Sequence, residues 1–343
     1  MDRPPISVIV PTYNRAALLP AAIESVRAQT RPDWELIIVD DGSTDETSAA
    51  IAPLLREDPR LRLLVNEGAR GPAGARNTGI RAARGAVLGF LDSDDYWEPS
   101  KLARFMVEFD AVPAAVLVAS DNCMVDRDSS SVTTMKSFLL KTMVPWWQTD
   151  PLAREVTRCD ALARDIQTIA QPGLFASLTI AGFPWVHTSS TMIRRDAAFA
   201  AGLFDEGLMR TEDIDLWLRL ESMGRFVYID EVLARYDITG RDGGAGARYA
   251  SYHPSRRHTR YVEASYHLRL LDRVERHCRL TTDQSKLLTR RRISHHRHCA
   301  VEALRERYWP GLVHAIPCMK NPFERDILIR QMRDVLFRGT GLQ

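Results

Sequence analysis

Three carboxylates crowd into four positions at Asp92-Ser93-Asp94-Asp95, directly after the apolar run Ala86-Val87-Leu88-Gly89-Phe90-Leu91. Like charges this close repel one another and lose hydration when partly buried. A divalent cation relieves both costs. Hard oxygen ligands suit Mg2+ or Mn2+, which bridge a few carboxylates to substrate phosphates. Asp92 and Asp94 flank a single residue and are the candidate ligands. The competing explanation is a polar turn that caps the helix expected after Pro99-Ser100. A second acidic group, Thr211-Glu212-Asp213-Ile214-Asp215, precedes Leu216, Trp217, Leu218 and Leu220, which make the next segment apolar on more than one face. A carboxylate at the mouth of such a buried helix suits a general base. Here too a cap formed by Thr211 or Asp213 is the alternative. Successive helical residues diverge, so only one of Glu212, Asp213 and Asp215 faces an acceptor well.

These residues need elements to hold them. Ile6-Ser7-Val8-Ile9-Val10 is β-branched and apolar, and predicts a strand ended by Pro11-Thr12-Tyr13-Asn14. Residues 16–29 predict a helix with Leu18, Leu19, Ile23 and Val26 on one face. Trp34-Glu35-Leu36-Ile37-Ile38-Val39 predicts a strand ended by Asp40-Asp41-Gly42-Ser43, and a helix capped by Thr44 or Asp45 runs to about Leu55. Leu61-Arg62-Leu63-Leu64-Val65, a glycine-rich loop over 68–74, a helix over 75–83 and the strand before Asp92 complete a β-α-β-α-β-α-β series. That alternation predicts a parallel, doubly wound sheet. In such sheets ligands sit at the carboxyl ends of the strands. Thr12, Tyr13, Asp41 and Asp92 all follow strand ends, so one crevice holds an aromatic ring, an acid for N–H donors, a basic loop and the acidic turn. That set suits a nucleotide diphosphate: Asp41 for the base, Arg76 for the phosphates, and the Asp92/Asp94 cation as a bridge. No GxGxxG or GxxxxGK[ST] motif is present, which sets aside ordinary dinucleotide and P-loop sites.

The chain has 343 residues, 45% apolar and 26% charged, enough for one large domain or two. No apolar run approaches a membrane span, and the first residues do not read as a signal peptide. The five cysteines are scattered and lack CxxC pairs, which points to a reducing, cytoplasmic setting without disulfides or zinc. The net charge of +2 hides an asymmetry. Residues 252–343 carry 19 Lys plus Arg against 9 Asp plus Glu, or +10, and eight of the nine histidines. Residues 1–251 carry 27 against 35, or −8. Two structural units are therefore expected, 1–250 and a basic helical region over 251–343.

The ordered set of motifs resembles the family 2 glycosyltransferases, which have the GT-A fold. The stretches that carry the resemblance are Ser7-Val8-Ile9-Val10-Pro11-Thr12-Tyr13-Asn14, Val39-Asp40-Asp41-Gly42-Ser43, Ala75-Arg76-Asn77-Thr78-Gly79 and Leu91-Asp92-Ser93-Asp94-Asp95. It returns in His187-Thr188-Ser189-Ser190, Gly202-Leu203-Phe204-Asp205-Glu206 and Thr211-Glu212-Asp213. The resemblance implies a Rossmann-like α/β domain with a mostly parallel sheet flanked by helices, followed here by a C-terminal helical appendage. Residues 1–110 would form the nucleotide-binding half and 111–250 the acceptor half, with an insert over 127–185. Pro11, Thr12 and Tyr13 would line the nucleoside pocket, Asp41 would meet the base and Arg76 would lie beside the nucleotide. Asp92 and Ser93 would lie nearer the ribose or donor, and Asp94 would be the more direct metal ligand. Asp40 and Asp95 would cap or support, and Asn77 would make a structural hydrogen bond at a helix start. Asp213 would be the base, with Glu212 and Trp217 on the acceptor side. The family's further metal-ligating histidine has no clear counterpart; His253 is the nearest.

The implied reaction is inverting transfer of one sugar from a nucleotide diphosphate sugar, uridine or deoxythymidine, to a hydroxyl, with Mn2+ or Mg2+. The processive members' Gln-x-x-Arg-Trp motif is absent, which favours single transfer. The acceptor would be a glycan, a lipid-linked or another hydroxyl compound of cell-surface polysaccharide or glycoconjugate synthesis. A nucleotidyltransferase of similar fold and a non-catalytic sugar-nucleotide binder are the rivals. In the insert, Met143-Val144-Pro145-Trp146-Trp147 and Gly182-Phe183-Pro184-Trp185 suit either a lid over sugar rings or packing onto the core. Residues 239–246 read as a glycine-rich loop. The tail predicts helices over 261–278, 284–308 and 322–337. Its most basic stretch, Arg290-Arg291-Arg292-Ile293-Ser294-His295-His296-Arg297-His298, suits a solvated face, an anionic membrane surface at the inner leaflet, a lipid-diphosphate acceptor, or self-association or another protein contact. No nucleic-acid motif accompanies it.

Overall fold

Apolar, β-branched runs build the strands, and polar turns end them where the sequence predicts. A computed structural model describes residues 5–126, 131–134, 175–176, 179, 186–208, 210–237 and 259–338. Strand β1 (Ile6–Thr12) leads to helix α1 (Leu19–Arg27), whose Leu19, Ala22, Ile23 and Val26 face inward at helical spacing. Strand β2 (Trp34–Asp40), helix α2 (Thr47–Glu57) and strand β3 (Leu61–Val65) follow. Helix α3 (Pro72–Ala82) begins three residues before the predicted 75, because Pro72 presets the first helical turn. Strand β4 (Val87–Phe90) is buried along its whole length. Then come β5 (Tyr96–Trp97), α4 (Lys101–Ala111), β6 (Ala115–Asp126) and β7 (Ser131–Thr134). After the insert come β8 (Thr191–Arg194), α5 (Arg195–Ala200), α6 (Glu212–Glu221) and β9 (Arg225–Asp237).

One sheet runs β3-β2-β1-β4-β8-β6-β9-β5, with β7 added to β6. The β3-β2-β1-β4 half is parallel. Beyond it β8 runs antiparallel to both β4 and β6, while β6 and β9 pair in parallel through irregular registers. The insert's aromatic candidates Trp146, Trp147, Phe183 and Trp185, the 239–246 loop and His253 lie outside the described residues.

The tail forms α7 (Thr259–His277), α8 (Thr282–Arg305), a 3₁₀ turn (Trp309–His314), α9 (Ala315–Met319) and α10 (Pro322–Arg338). A capping box between Thr281 and Gln284 starts α8. The boundary near residue 250 divides charge, but apolar packing crosses it. Leu270, Leu271 and Val274 of α7 and Leu287 and Leu288 of α8 join the cluster that holds Ile9, Phe90 and Trp217. Much of the tail's basic stretch is turned inward. Arg292 pairs with Asp272 and Glu275 at 3.1 and 2.8 Å, and Arg297 with Glu324 at 2.7 Å. Those two arginines brace α7 and α10 against α8 and do not form an outward cationic face. His295 stacks on His267 while its neighbour His296 stacks on His314, so the adjacent histidines diverge. Burial pushes the His295 imidazole down to about 3. Burial also pushes the Cys278 and Cys299 thiols up to about 12, far from nucleophilic thiolates.

Candidate active site

Parallel pairing brings the ends of β1, β2 and β4 to one edge. Thr12 pairs with Asp40 at the last rung, and Ile9 pairs with Phe90, just before Asp92. The Asp41 N–H donates to the Thr12 carbonyl at 2.9 Å, joining two of the turns. Asp40 folds back on its own loop, where its Oδ1 accepts from the Ser43 N–H and hydroxyl at 2.9 and 2.6 Å. Asp41 instead fastens the glycine-rich loop. Its Oδ1 accepts from Asn66 Nδ2 at 2.5 Å and its Oδ2 from the Gly71 N–H at 2.8 Å. Gly71 sits at φ +122°, a backbone region that glycine enters without a Cβ penalty. Asp41 and Thr12 are buried, while Pro11 and Tyr13 are half-buried along the same edge.

Arg76, expected beside the nucleotide, is held between two acids. It is 1% exposed, and its terminal nitrogens donate to Asp92 Oδ1 at 2.7 Å and Glu212 Oε1 at 2.6 Å. Gly79, one turn along the same helix face, packs so tightly on β1 that an added Cβ would lie 2.5 Å from Ile9 Cγ2. That face of α3 is pressed into the sheet, and Arg76 goes with it. The arginine offsets the charge of Asp92 and links the β4 turn to the start of α6. Burial pushes the Glu212 carboxyl above the usual range; Arg76 opposes this and the neighbouring Asp213 adds to it. Asn77 clamps the next loop, donating to the Phe204 carbonyl at 2.9 Å and to Glu206 Oε1 at 2.8 Å. Its structural hydrogen bond is present, but inside α3 and not at the helix start.

Ser189 organises the acidic turn. Its Oγ accepts from the Asp92 N–H at 3.0 Å and donates to Asp95 Oδ2 at 2.5 Å. Asp95 and Ser93 are buried, and Asp92 and Asp94 are half-buried. The acids at the start of α6 separate into three environments. Glu212 is taken by Arg76. Asp215 is 1% exposed and faces away, paired with Arg219 at 2.6 Å and Arg273 at 3.4 Å. Asp213 is half-buried and accepts from neutral donors, the Thr188 hydroxyl at 2.9 Å and the Ile214 N–H at 2.8 Å. Thr211, just before them, has φ +61°, an unfavourable region for a β-branched residue and one where functional sites store strain. Trp217 is fully buried, its ring centroid 6.2 Å from Phe90 and 6.1 Å from Phe204.

Sequence reasoning gave no role to Asn66, Thr188, Ser189 or Glu206. Asn66 follows the end of β3, so the strand-end rule could have found it. Glu206 accepts from the Ala69 N–H at 2.8 Å, a contact across 137 positions with no local signal.

Asp92 and Asp94 offer hard carboxylate oxygens at the crevice edge, the donor type that Mg2+ or Mn2+ takes. Among the described residues no group of three or more His, Cys, Asp or Glu forms a cation cage. The acids therefore fit a cation that completes its shell with ligand oxygens and water.

Residues 7–155 match the sequence profile of glycosyl transferase family 2. The Escherichia coli UDP-Glc:alpha-D-GlcNAc-diphosphoundecaprenol beta-1,3-glucosyltransferase WfgD is 45% identical over 102 residues, 30% of this chain and 40% of that protein. The chain spans between 32% and 40% of the length of the first curated relatives it matches. Staphylococcus aureus TarS 1–349 in complex with UDP superposes with a TM-score of 0.57 at 16% identity, covering 98% of this chain and 93% of that one. The mannosyltransferase PcManGT from Pyrobaculum calidifontis, in complex with GDP-Man and Mn2+, gives 0.56 at 17% identity over 98% and 87% of the two chains. These last two likenesses are of fold. Motif order, sheet topology and profile agree: residues 7–155 form a family 2 glycosyltransferase domain, and the chain is built on the GT-A fold.

Proposed function

We propose that this chain is a metal-dependent, inverting glycosyltransferase that moves one sugar from a UDP- or dTDP-sugar to a hydroxyl acceptor. The observation that carries this reading is the Arg76 bridge between Asp92 and Glu212. It ties the nucleotide-side turn to the α6 start, so Asp213 stands next to the donor crevice at a fixed place. Pro11, Thr12, Tyr13 and Ser93 line the nucleoside side. Asp41 shapes that side by anchoring Gly71, and its remaining lone pairs are those that a base N–H would use. Asp94 and Asp92 would hold the cation, which supplies charge neutralisation on the departing diphosphate.

Asp213 accepts the acceptor hydroxyl's proton as that oxygen attacks the anomeric carbon from the face opposite the leaving group. The hydroxyl of Thr188 and the N–H of Ile214 orient its carboxylate. Glu212 and Asp215 are poorly suited to that role, because each is buried against arginine. Holding donor and acceptor in line supplies much of the acceleration. The acceptor class we favour is lipid-linked, in cell-surface polysaccharide or glycoconjugate synthesis, since the E. coli relative is named for a diphosphoundecaprenol substrate. The reaction would then take place in the cytoplasm, at the inner face of the membrane. Among the described residues no helix is long and apolar enough to cross a membrane.

Calorimetry of UDP binding with and without Mn2+ tests the donor side. Wild type should bind more tightly with the cation, and Asp94→Ala should lose that gain. Metal-independent binding, or an Asp94→Ala variant that keeps the gain, would overturn the assignment.

A further inference from the structure

We propose that residues 309–323 form a docking surface for an anionic lipid bilayer. Trp309, Val313, Ile316, Met319 and Phe323 are 64, 60, 58, 49 and 72% exposed. Single exposed apolar residues are ordinary, but a run of large ones marks an interaction site. All five lie between residues 309 and 323, in the 3₁₀ turn, α9 and the start of α10.

The opposite face is well packed, so the exposure is not a loose core. An added Cβ on Gly311 would lie 2.7 Å from both Ala303 and Tyr261. Cys318 is fully buried and its thiol donates to the Ile293 carbonyl at 3.2 Å. The segment is held firmly with its apolar side chains outward. A tryptophan at one end and a phenylalanine at the other, with aliphatic residues between, is the composition of an element lying in a membrane interface.

Charge complementarity selects the occupant. Lys320 is exposed within the stripe, and Arg290 is exposed and lines a groove of about 550 Å3 with Phe323 and Arg291. Of the nearby acids, Glu324, which lines the same groove, is offset by Arg297 at 2.7 Å, and Asp326 by Arg325 at 3.5 Å. Anionic headgroups would meet these cations while the apolar stripe enters the acyl boundary. A second copy of the chain fits less well, because a two-fold interface would place the same cations near one another. The surface differs from a purely arginine-based contact, since Arg292 and Arg297 are already paired within the tail. It does not depend on the donor or the catalytic base, so its failure would leave the proposed reaction standing.

Flotation of the full chain with phosphatidylcholine vesicles, with and without phosphatidylglycerol, tests the proposal. Binding should need the anionic lipid and weaken as salt rises. The pair Ile316→Ser and Phe323→Ser should cut affinity about a hundredfold, and Arg290→Gln with Lys320→Gln about thirtyfold at low salt. Both pairs alter surface positions, so thermal unfolding should match wild type. Val107→Ser with Met223→Ser, which removes exposed apolar residues elsewhere, should leave binding intact. Tryptophan emission should shift to shorter wavelength with vesicles, and Trp309→Phe should remove the shift. Absence of vesicle binding, or binding that ignores Ile316→Ser and Phe323→Ser, overturns the proposal. A dimer by light scattering that these two changes dissolve, without vesicle binding, would also overturn it and make the stripe a contact between copies.

Discussion

Arg76 is the residue on which the two halves of the site depend. It compensates two carboxylates that reach it from opposite sides, with little water to help. Removing one partner of a buried ionic group costs about 3–5 kcal/mol, because the rest is left uncompensated. Arg76→Ala should therefore destabilise the chain by about that amount in chemical denaturation at neutral pH. Arg76→Lys should recover only part of the loss, since a point charge cannot copy a planar fork that meets two acids. A neutral result for Arg76→Ala would mean that the bridge is not held in solution. Asp213→Asn is the complementary change. It keeps shape and removes the proton acceptor, so transfer should fall by roughly two to four orders of magnitude. Affinity for the nucleotide should stay near wild type in the same calorimetric assay, since the substitution lies on the acceptor side. Near-normal turnover would move the role to another group.

At the scale of elements, the parallel half was legible because its signals are local. Each strand is a short apolar run, and each acid that ends one lies within a residue or two of it. The antiparallel entry of β8 between β4 and β6 was not legible, since nothing near residues 191–194 states which strand they will meet. For the same reason nothing near Arg76 states its pairing with Glu212, which lies 136 positions away. Likewise, aromatic type alone does not say that the Trp217 ring meets Phe90 and Phe204. Glu35 shows the same limit inside a strand. It is 1% exposed, accepts from the Ser7 hydroxyl and the Arg84 N–H at 2.7 Å each, and pairs with the Arg84 and Arg62 guanidiniums at 2.8 and 3.2 Å. It thereby joins β1, β2 and β3 to the turn before β4. Burial alone would raise its pKa, but hydrogen bonds from Arg84 and Ser7 more than reverse this and hold it below the ordinary 4.5. A depressed carboxylate contributes stability above its unfolded pKa and loses it as pH falls through the lower folded value. Glu35→Gln should thus destabilise most near neutrality, and its deficit against wild type should shrink on acidification below about 4.5. A deficit that does not change with pH would refute the ionic account of this network.

Across the whole molecule, charge and packing divide the chain differently. Residues 1–251 carry −8 and 252–343 carry +10, which alone suggests two bodies attracted at long range. Yet one apolar cluster runs from Ile9 through Trp217 to Leu288. Arg273 adds a polar seam, pairing with Asp205 and with Asp215 behind the α6 acids. The Asp205 pair is partly exposed, so salt should weaken it only modestly while the apolar contact persists. Cooperative units follow shared cores more than charge boundaries. Scanning calorimetry of the full chain should accordingly show α7 and α8 melting together with the sheet in one transition. Arg273→Ala should move that transition to lower temperature without splitting it, because Leu270, Leu271 and Val274 still hold α7 in place. If the variant, or wild type in high salt, resolves into two separated transitions, the tail is held mainly by charge and is a body of its own.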